Sequence, residues 1–340
     1  MLPIARKVTF DEVPVIDLQP MFSGDPAERG ALARKVAQAC HDVGFFYIVN
    51  HRIPPAAVAG MFEAAEAFFA LPAESKLEVD LVRQPNYRGY IPPDHKGDDE
   101  RIKKNLQEVF QINIELPEED PDSRASERLY GPNPWPSALP WLRERMLGYY
   151  AELSALAYEM MQILALGLDL PEKTFHPFFR KPLMLLRLLH YPPQDPEDAS
   201  GKMGTRPHTD TGAFTILTQD KTGGLEVMNR AGEWIGVPPL DGSFVVNIGE
   251  MMKVWSDGIY SATPHRVVNR YGAERYSVPF FANPDFDARI SPLLTNPDPV
   301  DAPEFESSVA RKQDYTCGAL LLNTYRRIWP PLADGRSTAA

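Results

Sequence analysis

The sequence predicts an α+β protein, mainly β with flanking helices: a mostly helical first half, then a barrel or sandwich of short strands. Three observations carry this. Leu153, Leu156, Ala157, Met160, Met161 and Leu164 fall on one stripe at helical spacing. From Phe214 onward, short β-type runs follow one another, punctuated by Gly and Pro, as in an antiparallel barrel or sandwich. Finally, 34 of the 340 residues are proline, too many for an all-helical bundle because proline breaks helix interiors.

Taken in order, Ala27 to Val43 reads as a helix stopped by Gly44. Phe45 to Val49 is a short apolar aromatic run, most simply a buried strand. Val58, Met61, Phe62 and Phe69 mark a second helix over Pro55 to Ala70. Residues 83–100 and the proline-rich 117–140 read as loops. The stripe through Met160 and Met161 makes the longest helix, ended by Gly167. Leu183 to Tyr191 is an apolar strand interrupted by Arg187. Strands are then expected at Phe214–Thr218, Leu225–Met228, Trp234–Val237, Phe244–Ile248, Val267–Asn269 and Tyr276–Phe281, with a final helix over Ser308–Arg327. The divisions expected are residues 1–180, mostly helical and packed on the core; 181–300, the catalytic core; and 301–340, a helix and tail, together one compact unit.

Apolar residues at 44% and charged residues at 24% describe a globular chain and argue against disorder. Thirty-five basic against 46 acidic residues give a net charge of −11, which disfavours nucleic-acid and anionic-membrane partners, since both need a basic footprint. Two cysteines, Cys40 and Cys317, make neither a disulfide framework nor a thiolate zinc cluster. Tyr149 to Leu170 is too charged to span a bilayer, and no secretory pattern opens the chain. The expected location is the cytoplasm.

His208 and Asp210 stand as His-Thr-Asp just before the Phe214 strand. On extended backbone, residues i and i+2 point to one side, so an imidazole and a carboxylate reach one point. His265 follows before the Val267 strand. A returning antiparallel strand can set it against that pair, completing the two-histidine, one-carboxylate donor set of non-haem Fe(II) centres, which leaves open positions. Arg275 and Ser277 share a strand face, a guanidinium beside a hydroxyl suited to gripping a carboxylate. An Fe(II) ion, one aspartate, a dianionic co-substrate such as 2-oxoglutarate and one arginine sum to zero charge, which a buried site favours. His41, His95, His176 and His190 carry no partner pattern and, with His51 in the loop after an early strand, read as structural or solvated.

His208-Thr209-Asp210, Gly223-Gly224-Leu225-Glu226-Val227, Val246-Asn247-Ile248-Gly249-Glu250, His265-Arg266-Val267, Arg275-Tyr276-Ser277 and Phe281-Ala282-Asn283-Pro284 resemble the isopenicillin-N-synthase-like 2-oxoglutarate/Fe(II) dioxygenases. Val13-Pro14-Val15-Ile16-Asp17-Leu18, Gly44 through His51 and Tyr87-Arg88-Gly89-Tyr90 agree, in family order over nearly the whole chain. The resemblance implies a double-stranded β-helix (jelly-roll) core. It also implies an oxygenase that hydroxylates or desaturates a small molecule while 2-oxoglutarate and O₂ give succinate and CO₂. Its alternatives are a ring-closing oxidase of the same fold that does without 2-oxoglutarate, and an ethylene-forming enzyme. A non-catalytic binding protein would be expected to lack part of the triad, which is complete here.

The resemblance further implies that His208, Asp210 and His265 hold Fe(II), and that Arg275 and Ser277, assisted by Tyr191, bind the distal carboxylate of 2-oxoglutarate. Many relatives carry Asn where this chain has Leu189. Substrate-lining positions carried over are Tyr87, Arg88, Arg187, Leu189, Thr211, Phe281 and Asn283. Arg187, a charge inside an apolar strand, reads either as an anchor for a substrate acceptor group or as half of an internal salt bridge. The stretch Leu186 to Pro192 looks like that of pyrimidine-hydroxylating relatives. A small polar metabolite, cyclic or carboxylated, is the expected substrate.

Overall fold

The computed structural model describes residues 12–93, 105–125, 129–194, 203–269, 272–296 and 315–328. After β1 (Val15–Asp17), the Asp25 carboxylate accepts from the Ala27 amide at 2.8 Å and Pro26 fixes the first helical φ, which starts α1 (Pro26–Asp42). Gly44 then turns the chain at φ +75°, where a Cβ would lie 2.3 Å from the Ser261 carbonyl oxygen. β2 (Phe45–Val49), α2 (Pro55–Phe69), α3 (Ala73–Leu77), β3 (Gly89–Ile91), β4 (Glu108–Asn113) and α4 (Pro121–Arg124) follow. α5 (Leu142–Gly167) carries the apolar stripe and ends at Gly167 as expected.

The second half gives β5 (Leu185–Tyr191), β6 (Thr205–His208), β7 (Phe214–Gln219), β8 (Leu225–Met228), β9 (Trp234–Gly236) and β10 (Phe244–Ile248). After these come α6 (Glu250–Trp255), β11 (His265–Val267), β12 (Arg275–Ala282), β13 (Arg289–Ile290), β14 (Tyr315–Thr316) and α7 (Cys317–Ile328). The expected tail helix begins later than anticipated, at Cys317; residues 308–314, like His95, lie outside the described residues.

Eight strands form one sheet in the order β1-β2-β10-β7-β12-β5-β4-β3, and four form a second in the order β6-β11-β8-β9. Side chains of Phe45, Tyr47, Val109, Leu189, Tyr191 and Val245 from the first sheet meet Leu225, Val227 and Val267 from the second. This is the inside of a jelly roll. The opposite face of the large sheet, with Phe46, Phe110, Leu186, Leu188, Ile216 and Phe280, packs with residues of α1, α2, α5 and α6 in a larger core. Period-2 alternation therefore divides each strand of the large sheet between helix-covered core and barrel interior.

β1, β3, β4, β6, β13 and β14 went unread in the sequence. β4 pairs with β5 in register and is buried throughout. Its sequence, Glu-Val-Phe-Gln-Ile-Asn, hides it because both faces are covered and buried polar side chains stand on each, Gln111 with Arg187 on one and Glu108 with Lys76 on the other.

Arg88, carried over as a substrate-lining position, commits its guanidinium to the fold. Nη1 donates to the carbonyls of Ile114 and Gly131 and to Asn133 Oδ1, and Nη2 to the Leu129 carbonyl, all at 2.7–2.9 Å. Arg88 is 1% exposed and pins the irregular 129–133 segment to the end of β4. Arg88→Met should leave these buried acceptors unpaired and lower stability by roughly 2–5 kcal/mol in chemical denaturation.

Candidate metal and co-substrate site

β6 and β11 pair with His208 directly opposite His265, and their rings lie 4.2 Å apart. Each Nδ1 faces a backbone carbonyl two residues back, Arg206 O at 2.8 Å and Thr263 O at 3.2 Å. With Nδ1–H donating there, both rings present bare Nε2 lone pairs. Both Nε2 atoms converge on one oxygen, Asp210 Oδ1, each 3.7 Å away. That is too far for a hydrogen bond. The other carboxylate oxygen, Oδ2, accepts from Thr215 Oγ1 at 2.5 Å and Asn247 Nδ2 at 2.7 Å.

Two lone pairs and an anionic oxygen thus face a common gap, an arrangement that repels itself unless a cation fills it. The donor set and its open side fit Fe(II). Burial, then repulsion from His208, pushes the His265 pKa down to about 4, so its ring is neutral at pH 7. Burial alone would raise the Asp210 pKa. His265, His208 and the hydrogen bonds from Asn247 and Thr215 outweigh it and hold the carboxyl below its ordinary value.

The loop carrying Asp210 is clamped from behind. The Glu250 amide donates to Asp210 O, and the Met251 amide to the Thr211 and Gly212 carbonyls. A Cβ at Gly249 would lie 2.2 Å from the Gly212 oxygen, so only glycine lets β10 approach this closely. Thr215 and Asn247 were not assigned roles from sequence. Asn247→Ala should leave Oδ2 without one of its two donors and weaken metal affinity by about 10–100-fold in a competitive chelator titration.

Across the barrel, Arg275 on β12 stands opposite Tyr191 on β5, and Ser277 opposite Leu189. The guanidinium lies 4.6 Å over the Tyr191 ring, and Nη1 reaches Ser277 Oγ at 3.3 Å. Nε donates to the Gly223 carbonyl and Nη2 to Gln219 Oε1 at 3.1 Å. Arg275 is fully buried, and among the described residues no carboxylate pairs with it. A buried cation with only neutral partners fits an anionic ligand. Asn269 Nδ2 donates to the Tyr191 and Pro192 carbonyls and to Ala273 O, tying the end of β5 to the turn before Arg275.

Of the substrate-lining positions, Arg187 and Phe281 come together, with the guanidinium 5.1 Å over the ring. Arg187 Nε donates to Gln111 Oε1 at 2.8 Å, and Gln111 Nε2 to the Tyr87 carbonyl at 2.6 Å. Arg187 is in phase with Leu189 and Tyr191 on β5, the barrel-interior face; burial lowers its pKa, while Tyr325, Asp210 and Tyr191 push it back up. No ion pair to Arg187 exists among the described residues, so of the two readings the internal salt bridge lacks a partner. Leu189 packs in the interior cluster, and Tyr87 lies 5.0 Å from the ring of Tyr325. Asn283 Oδ1 abuts Gly212 beside the Asp210 loop, while the Thr211 carbonyl faces the start of α6. Gln111 and Tyr325 were missed. Gln111 gave no such signal, because β4 also carries Glu108 and Asn113 and does not read as an apolar strand.

A jelly roll holding two histidines and an aspartate around one gap, with a buried arginine alongside, defines a non-haem iron oxidoreductase. Residues 13–138 match the family described as non-haem dioxygenase in morphine synthesis N-terminal, and residues 182–284 match the 2OG-Fe(II) oxygenase superfamily. The chain is 36% identical over 287 residues to the 2-oxoglutarate-Fe(II) type oxidoreductase hxnY of Emericella nidulans, covering 82% of each chain. It is 37% identical over 304 residues to the 2-oxoglutarate-dependent dioxygenase citB of Monascus ruber, covering 86% of this chain and 90% of that one. The crystal structure of a full-length Neurospora crassa protein in complex with alpha-KG and thymine superposes with TM-score 0.77 at 27% identity, over 95% of this chain and 97% of that chain.

The chain belongs to the isopenicillin-N-synthase-like 2-oxoglutarate/Fe(II)-dependent dioxygenases. It is an oxidoreductase that uses Fe(II), 2-oxoglutarate and O₂ on a small-molecule substrate. These relatives favour the 2-oxoglutarate-dependent reading over an oxidase that dispenses with the co-substrate. Among the described residues no helix is long and apolar enough to cross a membrane.

Proposed function

We propose that His208, Asp210 and His265 hold the iron, that Arg275, Ser277 and Tyr191 receive the distal carboxylate of 2-oxoglutarate, and that Arg187 and Phe281 orient the substrate. The observation that carries the metal assignment is the convergence of both Nε2 atoms on Asp210 Oδ1 at 3.7 Å while Oδ2 is held elsewhere. When bound, the iron supplies the O₂ chemistry that couples conversion of 2-oxoglutarate to succinate and CO₂ with hydroxylation or desaturation of a substrate C–H bond. The protein fixes both partners and excludes water from between them.

Arg187 stands over Phe281 with its Nη groups free of described partners. This supports a small, flat, cyclic substrate bearing carbonyl or carboxylate oxygens, stacked on the ring and held by the guanidinium. Leu189, Thr211, Asn283 and Tyr87 complete the surroundings. The thymine complex of the Neurospora crassa neighbour supports the same class. Both cysteines are buried and unpaired, which suits a reducing compartment, the cytoplasm.

Succinate formation by the Fe(II)-loaded enzyme, measured against a panel of flat cyclic amides, cyclic carboxylates and acyclic aliphatic compounds, tests this. Cyclic oxygen-bearing compounds should stimulate turnover, and Arg187→Met should raise their KM. Stimulation by aliphatic compounds alone, indifferent to Arg187→Met, would refute the substrate class.

A further inference from the structure

His190 precedes Tyr191 on β5 and points to the opposite face of the sheet. Its Nδ1 lies 2.7 Å from Glu108 Oε1 on β4, and its Nε2 contacts Glu274 Oε2, immediately before Arg275. Neutral imidazole has one N–H, so it would turn a lone pair toward one of these carboxylates. Imidazolium donates to both. Glu108, buried, also accepts from Lys76 Nζ on α3 at 2.8 Å and from the Tyr90 hydroxyl on β3 at 2.7 Å. The ring stacks on Tyr276 at 4.9 Å and lies 5.4 Å from Phe69 of α2.

The register gives this cluster a consequence. Glu108, His190 and Tyr276 form one cross-strand row on the outer face. The adjacent cross-strand pair, Tyr191 opposite Arg275, points inward. Tyr191 is the last residue of β5 and Arg275 the first of β12. Strand ends are the least restrained part of a ladder. The Asp220 carboxylate and amide fasten Tyr276 on the β7 side. His190, bonded to Glu108 and Glu274, fastens the β5 side.

We propose that His190 is a positioning residue for 2-oxoglutarate, a tie across the back of β4, β5 and β12 that fixes the separation of Tyr191 and Arg275. This rests on the assignment of those two residues to the co-substrate. His190 reads from the sequence as structural or solvated; the cluster gives it a specific task.

The groups facing the imidazole are Glu108, Glu274, Tyr276 and Phe69, with Lys76 and Tyr90 behind Glu108; Glu66 and Asp220 act on Tyr276. Burial opposes charging of His190, but Glu108 and Glu274 outweigh it and raise its pKa above 6.5. The tie is therefore fully present below that ordinary value and is lost as pH rises through the raised one.

Calorimetric titration of 2-oxoglutarate into Mn(II)-loaded protein reads this without turnover. In His190→Phe, which keeps the stack but donates nothing, Kd for 2-oxoglutarate should rise about tenfold, the worth of a weak charge-assisted hydrogen bond. Mn(II) affinity should stay unchanged. Glu274→Gln, altered at a half-exposed position and expected to fold, should shift Kd in the same direction by less. Wild-type Kd should rise as pH increases through the His190 transition, and that pH dependence should vanish in His190→Phe. Arg275→Gln is the control. If it weakens 2-oxoglutarate binding while both other variants bind normally, or lose only thermal stability, this inference is overturned and the co-substrate assignment stands. If Arg275→Gln also binds normally, the assignment falls and the inference with it.

Discussion

Asp210→Ala is expected to abolish iron retention and 2-oxoglutarate turnover together. Asp210 supplies the only carboxylate of the triad, and its Oδ1 is the point on which both histidine Nε2 atoms converge. Removing it leaves two neutral imidazoles, which hold Fe(II) poorly because no ligand charge offsets the cost of burying the ion. The loss should exceed the roughly 100-fold that an outer hydrogen-bonding partner costs. Asp210→Asn separates charge from shape: it retains the volume and an oxygen, and should still lose iron. Metal content after gel filtration, with circular dichroism to confirm folding, checks both. Iron retained at wild-type stoichiometry in either variant would count against the triad.

Arg275→Gln is expected to raise the KM for 2-oxoglutarate by about 100-fold, the upper end of what one buried charge-assisted hydrogen bond contributes, while leaving iron affinity intact. Arg275 is buried among the neutral acceptors Gly223 O, Gln219 and Ser277, so an arriving dianion meets an unneutralised guanidinium. Arg275→Lys should rescue little. A lysine ammonium carries the charge but cannot reproduce the planar fork that reaches Gly223, Gln219 and the ligand at once. Initial rates over a 2-oxoglutarate series, at saturating iron, separate this outcome from a general loss of folding, which would lower kcat instead.

The sequence was most legible where one physical requirement fixed the residue type. The stripe through Leu153 and Met160 announced α5, and the His-Thr-Asp spacing announced two donors on one side. The first follows from helical periodicity alone; in the second, Asp210 lies in the loop just past β6, where the clamp from α6 holds it. It was least legible where a strand is covered on both faces. β4 carries Glu108, Gln111 and Asn113, so its alternation looks polar although every residue is buried. Arg88 was legible only as a position in the resembled family; its bonds to four acceptors after β4 and in the 129–133 segment follow from no local pattern. Gln219 and Asn247 act on Arg275 and Asp210, partners distant in sequence that only the barrel register brings together.

Anomalous diffraction from crystals grown anaerobically with Fe(II) and 2-oxoglutarate tests the central claim most directly. The account predicts one iron peak in the gap between His208 Nε2, His265 Nε2 and Asp210 Oδ1, with a 2-oxoglutarate carboxylate against Arg275 and Ser277. An iron peak elsewhere, or 2-oxoglutarate bound away from Arg275, would contradict it.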